Sequence, residues 1–169
     1  MTEREREIIA ALSGKIRLLS FEDIHHTWWP SSKSAVTNAR RRLSAMVDEG
    51  LLVKERAFAR PRLPLAEPVF RWKPGQDAPA FGELSWKLQS RWTEEPREIT
   101  VYLATRRATG IFGGKADGRI KNPSQTTHDV HLGALYLKLR REAPTLAAGW
   151  VGEAVLAPTR ERQKLPDAI

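Results

Sequence analysis

The side chains best suited to specific hydrogen bonding lie in one amphipathic segment, residues 32–49. At about 100° per residue in a helix, Ser34, Thr37, Asn38 and Arg41 of this segment fall on one face. Hydroxyl, amide and guanidinium groups can pair with base edges in the major groove of DNA, Arg with guanine and Asn with adenine. We therefore predict that residues 32–49 form a helix that contacts bases through these four side chains.

The opposite face of the same segment is apolar. Val36, Ala39, Leu43, Met46 and Val47 recur at the spacing of a helical stripe. A helix with one apolar stripe packs that stripe against a protein core and leaves its polar face to solvent or to a partner. The pattern thus predicts which side of the helix is buried and which side is free.

Positive charge is concentrated around this helix. Between residues 31 and 73 there are ten Lys and Arg against four Asp and Glu, so this window at +6 carries most of the formal net charge of +8. Such a cluster favours binding to the phosphates of nucleic acid, although a solvated basic face is the alternative. The cations that we predict to contact DNA phosphates are Lys33, Arg40, Arg42, Arg56, Arg60 and Arg62.

Two β-rich runs follow the helix, residues 51–56 and 67–73. We predict that they pair as antiparallel strands around a loop, residues 57–66, that contains Arg60 and Arg62. A basic loop of this kind contacts the DNA backbone or the minor groove. A basic helix followed by such a loop is the layout of a winged-helix DNA-binding domain.

The residues before the basic helix fit the same layout. Residues 3–13 have a helical pattern, and residues 16–19 suit a short strand. The run from Ser20 to Asp23 is a capping-box pattern that opens a second helix. We therefore predict an N-terminal winged helix-turn-helix domain over residues 1–76.

A linker helix is predicted over residues 77–96, after a boundary rich in Pro and Gly. Phe81, Leu84 and Leu88 share one face of this helix, whereas Trp86 points roughly the opposite way. A tryptophan on the polar side of a helix implies a further packing partner. That partner is either the C-terminal unit or a second copy of the chain, which would make a homodimer through the linker helix.

The pattern over residues 97–169 is that of a small α/β domain, so the predicted fold class of the chain is α+β. Alternation over residues 99–103 predicts a strand, residues 110–123 a turn-rich connection, and residues 150–156 a second strand. The helix between the turn-rich connection and the second strand is apolar on two sides. We therefore expect it to lie between two layers, with Leu135 in the core.

Three short motifs in this C-terminal part carry a resemblance to a known family. They are the helical run Thr127-His128-Asp129-Val130-His131, the acid Glu153, and the strand entry Leu165-Pro166-Asp167-Ala168. Behind an N-terminal winged helix, this order resembles the replication-relaxation family of bacterial and plasmid proteins. The resemblance implies a winged helix fused to a restriction-endonuclease-like α/β domain, with a role in plasmid replication or mobilisation. Because the sequence ends just after the last motif, we expect an incomplete, truncated form of that domain.

The same resemblance raises an alternative, a metal-dependent nuclease. Such enzymes hold a divalent cation with an Asp at a Pro-Asp turn, an acid on the following strand and a nearby Lys. Asp167 matches the first and Glu153 is a second candidate, but no later acid or lysine follows. The pair His128 and His131 has no obvious third metal ligand. We therefore predict no catalytic residue, no cofactor and no bound metal, and we expect that the chain is not an enzyme.

Composition limits the remaining choices. The chain contains no cysteine, no apolar run near the ~20 residues of a membrane span and no apolar signal core at its charged N-terminus. A cytoplasmic protein without a membrane partner is expected. The function predicted first is sequence-specific binding of double-stranded DNA, as a transcriptional regulator or a plasmid or phage replication accessory factor. The nuclease and a winged-helix module that binds proteins remain as alternatives.

Overall fold

The computed structural model describes residues 1–29, 34–63, 67–156 and 168–169. Within these ranges the chain has an α+β fold with eight α-helices and one antiparallel sheet of three strands. The elements are α1 (Glu3–Gly14), β1 (Leu19–Ser20), α2 (Phe21–Trp28), α3 (Ala35–Asp48), β2 (Leu52–Ala59), α4 (Phe81–Gln89), β3 (Arg97–Ala104), α5 (Arg106–Phe112), a 3-10 helix (Pro123–Gln125), α6 (Thr126–Glu142), α7 (Pro144–Gly149) and α8 (Glu153–Leu156).

The first two helices begin where the sequence supplies side-chain caps. The Thr2 hydroxyl accepts a hydrogen bond from the Glu5 backbone N–H, and the Glu5 carboxylate accepts one from Thr2 N–H over 2.7 Å. The Ser20 hydroxyl accepts from the Asp23 backbone N–H over 3.0 Å, which confirms the predicted start of α2. Each cap satisfies a backbone donor that the helix itself leaves without an acceptor.

The strand order in the sheet is β1-β3-β2, so β3 is the central strand. It pairs with β1 at Leu19 opposite Tyr102, and with the whole of β2, from Leu52 opposite Ala104 to Ala59 opposite Arg97. The sheet therefore joins residues from both sides of the boundary that the sequence predicted near residue 76.

The predicted partner of β2 is wrong. Residues 67–73 contain no strand, and β2 pairs with Arg97–Ala104 instead. A central strand needs a free N–H at each pairing position and apolar side chains on both faces. Residues 67–73 include Pro68 and two cations, whereas β3 buries Val101 to Ala104 completely. We refer to residues 60–96, which connect β2 to β3, as the arm.

Helices cover both faces of the sheet. On one face Leu19, Leu52 and Tyr102 belong to the core that α1, α2 and α3 complete. On the other face Val101 and Leu103 pack in a second cluster that includes Val130 of α6. The sheet thus lies between the three N-terminal helices and the first half of α6, while Tyr136 and Leu137 of α6 join the core of the N-terminal helices.

Helix α6 confirms one predicted apolar stripe, because Val130, Ala134 and Leu137 are buried. The prediction for Leu135 is wrong, since this side chain is 39% exposed. Only one face of α6 is covered, and it lies close to β1: a Cβ on Gly133 would sit 3.0 Å from the carbonyl oxygen of Leu18. The helix expected over its second face, α4, contributes no buried side chain.

The turn-rich connection expected over residues 110–123 is confirmed from Gly113 onward, since residues 110–112 belong to α5. Thr105 caps the start of α5, and Gly113 follows its end with a positive φ of 78°. The strand expected over residues 150–156 is replaced by a single bridge, Gly152 to Ala168, and the short helix α8. Gly152 packs against the end of α1, where a Cβ would lie 2.3 Å from the Lys15 carbonyl oxygen. None of the described helices is both long and apolar enough to cross a membrane.

Candidate nucleic-acid interface

Helix α3 packs one side into the core and presents the other to solvent. Its buried side chains are Ala35, Ala39, Leu43 and Met46, so three of the five residues in the predicted stripe are confirmed. Val36 is 40% exposed, contrary to the prediction, because Ala35 takes the inward position at the start of the helix. The small Ala35 lets the first turn of α3 approach the core closely.

The four predicted base-contacting residues lie together at the N-terminal half of α3. Ser34, Thr37 and Arg41 are exposed, and Asn38 is half-buried, with its amide donating to the Ser34 hydroxyl over 3.3 Å. Arg41 forms no ion pair with any described residue. We call these four residues the reading face. It is a set of hydrogen-bonding groups that includes one exposed guanidinium and no acid.

Arg40 stands between the reading face and the sheet. Its guanidinium lies 5.3 Å from the centre of the Phe21 ring, close enough for a cation–π contact. Burial raises the pKa of Tyr102, and the nearby Arg40 charge opposes that rise. Because Tyr102 is the cross-strand partner of Lys54, Arg40 places positive charge beside the exposed side of β2.

Exposed cations continue along β2. Lys54, Arg56 and Phe58 alternate with more buried residues on this strand, and Arg56 is paired with Glu98 of β3 over 3.0 Å. Sequence reasoning did not include Lys54 among the site residues. Its alternation with Val53 and Glu55 in a strand that begins directly after α3 was the available signal.

Arg42 is paired with a carboxylate of α1. Its Nε donates to the Glu5 carboxylate over 2.5 Å, and Glu5 is almost completely buried. Burial raises the pKa of Glu5, but hydrogen bonds from Thr2 and from the Arg42 guanidinium outweigh it and hold the pKa below its ordinary value. Arg42 therefore ties α3 to α1, and its placement does not support the predicted phosphate contact.

The two arginines of the predicted wing loop make contacts inside the protein: the Arg60 side chain joins the two ends of the arm, and Arg62 joins the arm to α2. Arg60 donates to the backbone oxygens of Trp92 over 3.3 Å and Glu94 over 2.6 Å. Arg62 forms an ion pair with Asp23, a carboxylate that is 1% exposed. Burial raises the pKa of Asp23, while the Ser20 hydroxyl and the Arg62 charge oppose the rise. These arginines fasten the base of the arm and do not stand at an exposed loop tip.

The described residues that suggested a nuclease are engaged in contacts with other groups of the protein. Glu153 accepts a hydrogen bond from Arg17 over 2.5 Å, and the buried Asp129 lies 3.9 Å from the same guanidinium. The two ring nitrogens of His131 contact backbone groups, the Leu63 N–H of the arm and the Thr127 carbonyl of α6 itself. No group of three or more His, Asp or Glu in the described ranges is placed to hold a metal ion. Two predicted residues, Lys33 and Asp167, lie outside the described residues.

No known protein family, curated protein or solved structure matches this chain.

Proposed function

We propose that this protein binds double-stranded DNA sequence-specifically by placing α3 in the major groove. The observation that carries the proposal is the reading face, in which Thr37 and Arg41 stand exposed on a helix whose opposite side is packed into the core. Hydroxyl and guanidinium groups on a rigid helix can discriminate base pairs by their donor and acceptor patterns.

The order of the elements supports a winged-helix arrangement of this site. The chain runs α1-β1-α2-α3-β2-α4-β3 and its sheet has the order β1-β3-β2, with α3 directly before the first long strand. In such a domain the helix enters the groove and the following strands and loop lie along the backbone. The arm takes the place of the short wing that the sequence predicted.

The distribution of charged residues along α3 favours its N-terminal half as the part that enters the groove. Arg40 and Arg41 lie in this half, whereas Asp48 and Glu49 stand at the other end. The partial positive charge of a helix N-terminus adds to the attraction for phosphates. Lys54 and Arg56, on the strand that follows, are then the side chains that we propose for backbone contacts.

The proposed role is regulatory or accessory, and not catalytic. Of the two carboxylates that the family resemblance suggested, the one that the structure describes, Glu153, is paired with Arg17. Membership of the replication-relaxation family, a plasmid or phage replication role, a cytoplasmic location and a homodimer through α4 all stay predictions. Supercoiled plasmid is expected to remain intact with the protein in Mn²⁺, and protein-dependent nicking would contradict this part of the proposal.

Comparison of two single-residue variants tests the main proposal. A preferred site is first selected from a random duplex pool, and binding to it is compared with binding to random duplex. Arg41→Ala should weaken binding to the selected site by about 5- to 150-fold, as expected for the loss of one bidentate base contact, and should weaken random binding much less. Arg141→Ala is the matched control, because Arg141 is also an exposed cation, on α6. Absence of duplex binding, or equal losses for the two variants, would refute the proposal.

A further inference from the structure

Residues 70–73 of the arm include two aromatic side chains that are exposed to solvent. Phe70 is 44% and Trp72 52% exposed, and the residues between and after them are the cations Arg71 and Lys73. Large aromatic side chains are costly to leave in water, and contiguous exposed apolar groups mark sites of interaction. The position is separate from the reading face, because it belongs to the connection between β2 and β3.

A local turn holds Trp72 in place. Its indole Nε1–H donates to the backbone oxygen of Gln76 over 3.1 Å, and the Gln76 side-chain oxygen accepts from the Lys73 N–H over 2.9 Å. Gly75, with a φ of 89°, supplies the left-handed residue that closes this turn. The polar edge of the indole is thus satisfied internally, while about half of the side chain stays in solvent. A ring fixed in this way loses little conformational freedom when a flat partner stacks on it.

The charge around the aromatic pair favours a polyanion as the partner. Arg71 and Lys73 are exposed, and neither forms an ion pair with a described residue. A second copy of the chain would bring another formal charge of +8 to this surface, which opposes association. Nucleic acid brings both the negative charge and flat rings, and alternating aromatic and basic side chains are the combination that binds unpaired bases.

We propose that residues 70–73 bind single-stranded DNA, with Trp72 and Phe70 stacking on unpaired bases and with Arg71 and Lys73 contacting phosphates. The inference rests on the proposed function and deepens it. If α3 occupies a duplex, the arm can engage unpaired nucleotides that adjoin that duplex. The preferred substrate is then DNA that combines a double-stranded site with a single-stranded segment.

Fluorescence anisotropy with two labelled DNAs tests the inference. One is a blunt duplex that carries the selected site, and the other is the same duplex with a single-stranded thymidine extension. The wild-type protein should bind the extended DNA more tightly than the blunt duplex. Trp72→Ala should lose affinity for the extended DNA by about 5- to 150-fold, the range for one stacked base, and leave blunt-duplex affinity unchanged. Trp72→Phe should retain most of the additional affinity that the single-stranded extension provides.

Trp86→Ala is the matched control, since Trp86 is a 69% exposed tryptophan in α4 of the same arm. Equal affinity of the wild type for the two DNAs, or an equal loss on both with Trp72→Ala, would refute the single-strand site. So would a dimer, detected by sedimentation velocity, that only Trp72→Ala dissociates. Each of these results leaves the role of α3 intact as long as Arg41→Ala still weakens blunt-duplex binding, so the two proposals can fail separately.

Discussion

The backbone N–H of Leu63 donates to Nε2 of His131 over 3.0 Å. The other ring nitrogen, Nδ1, lies 2.7 Å from the carbonyl oxygen of Thr127, which can only accept a hydrogen bond. These two partners fix the tautomer: Nδ1 carries the proton and Nε2 does not. Protonation of the ring would set an N–H of His131 against the N–H of Leu63 and break this hydrogen bond between α6 and the arm.

The stability of the protein should therefore fall as His131 becomes protonated. Burial lowers the pKa of His131 and the Arg62 charge lowers it further, while the Thr127 carbonyl, the Pro61 backbone and the Asp23 carboxylate oppose the shift. A histidine with a lowered folded pKa binds its proton more readily when unfolded. Its contribution is complete above the unfolded pKa of about 6.5 and is lost as pH falls below it.

Urea unfolding at pH 7.5 and pH 5.5 measures this loss. Because Asp23 and other carboxyls also titrate, the informative quantity is the difference between wild type and His131→Asn. The variant should lose less stability than the wild type on acidification. A variant that retains the full pH dependence would contradict the assignment to His131.

Arg62→Ala should lower the stability of the protein by about 1–3 kcal/mol, because it leaves the carboxylate of Asp23 buried without its cation. The cost stays below that of a fully buried pair, since the Arg62 side chain is 39% exposed and water can replace part of the interaction. Denaturant unfolding gives the value, with Arg71→Ala as a neutral control. The salt dependence of DNA binding should not change, and a decrease in its slope would restore Arg62 as a phosphate contact.

The log–log slope of DNA affinity against salt should decrease by about one unit for each lost phosphate contact at β2. Lys54→Ala and Arg56→Ala are the variants to measure, separately and together, against Arg141→Ala. Arg56 is paired with Glu98 in the free protein, so its effect should be the smaller of the two. An unchanged slope in the double variant would remove β2 from the interface.

Truncation of two leucines of α6 should have very different effects on the stability of the protein. Leu137 is buried against the core, so Leu137→Ala should cost about 2–5 kcal/mol of unfolding free energy. Leu135 faces solvent, and Leu135→Ala should change the stability by no more than about 0.5 kcal/mol. Thermal or urea unfolding of the two variants compares them directly. A large loss at Leu135 would indicate that its face is covered in solution.

Periodicity along the sequence predicted the elements that depend on near neighbours. The helix with Ala39, Leu43 and Met46 inward follows from spacing alone, and so does the cap at Ser20. A local pattern cannot decide whether residues 67–73 or residues 97–104 pair with β2. The sequence favours residues 67–73 only because they are nearer to β2 along the chain. The choice depends on the burial of both faces of β3, which only the tertiary arrangement defines.

The same limit applies to the candidate site. The four residues of the reading face share one helix, so their proximity follows from the helical repeat. The contacts of Arg42 with Glu5 and of Arg62 with Asp23 join residues from different elements. The sequence does not show whether a buried carboxylate will lie beside a basic residue. It therefore predicts DNA contacts for these two arginines as it does for the other exposed cations.

The central position of β3 has a consequence for biosynthesis. β1 and β2 do not pair with each other, and both depend on a strand that begins only at Arg97. A nascent chain that has emerged only as far as the arm cannot form the sheet, and the apolar face of β1 has no strand to join. Contacts between such distant segments slow folding. More than half of this sequence must therefore be synthesised before the core of the N-terminal helices can close.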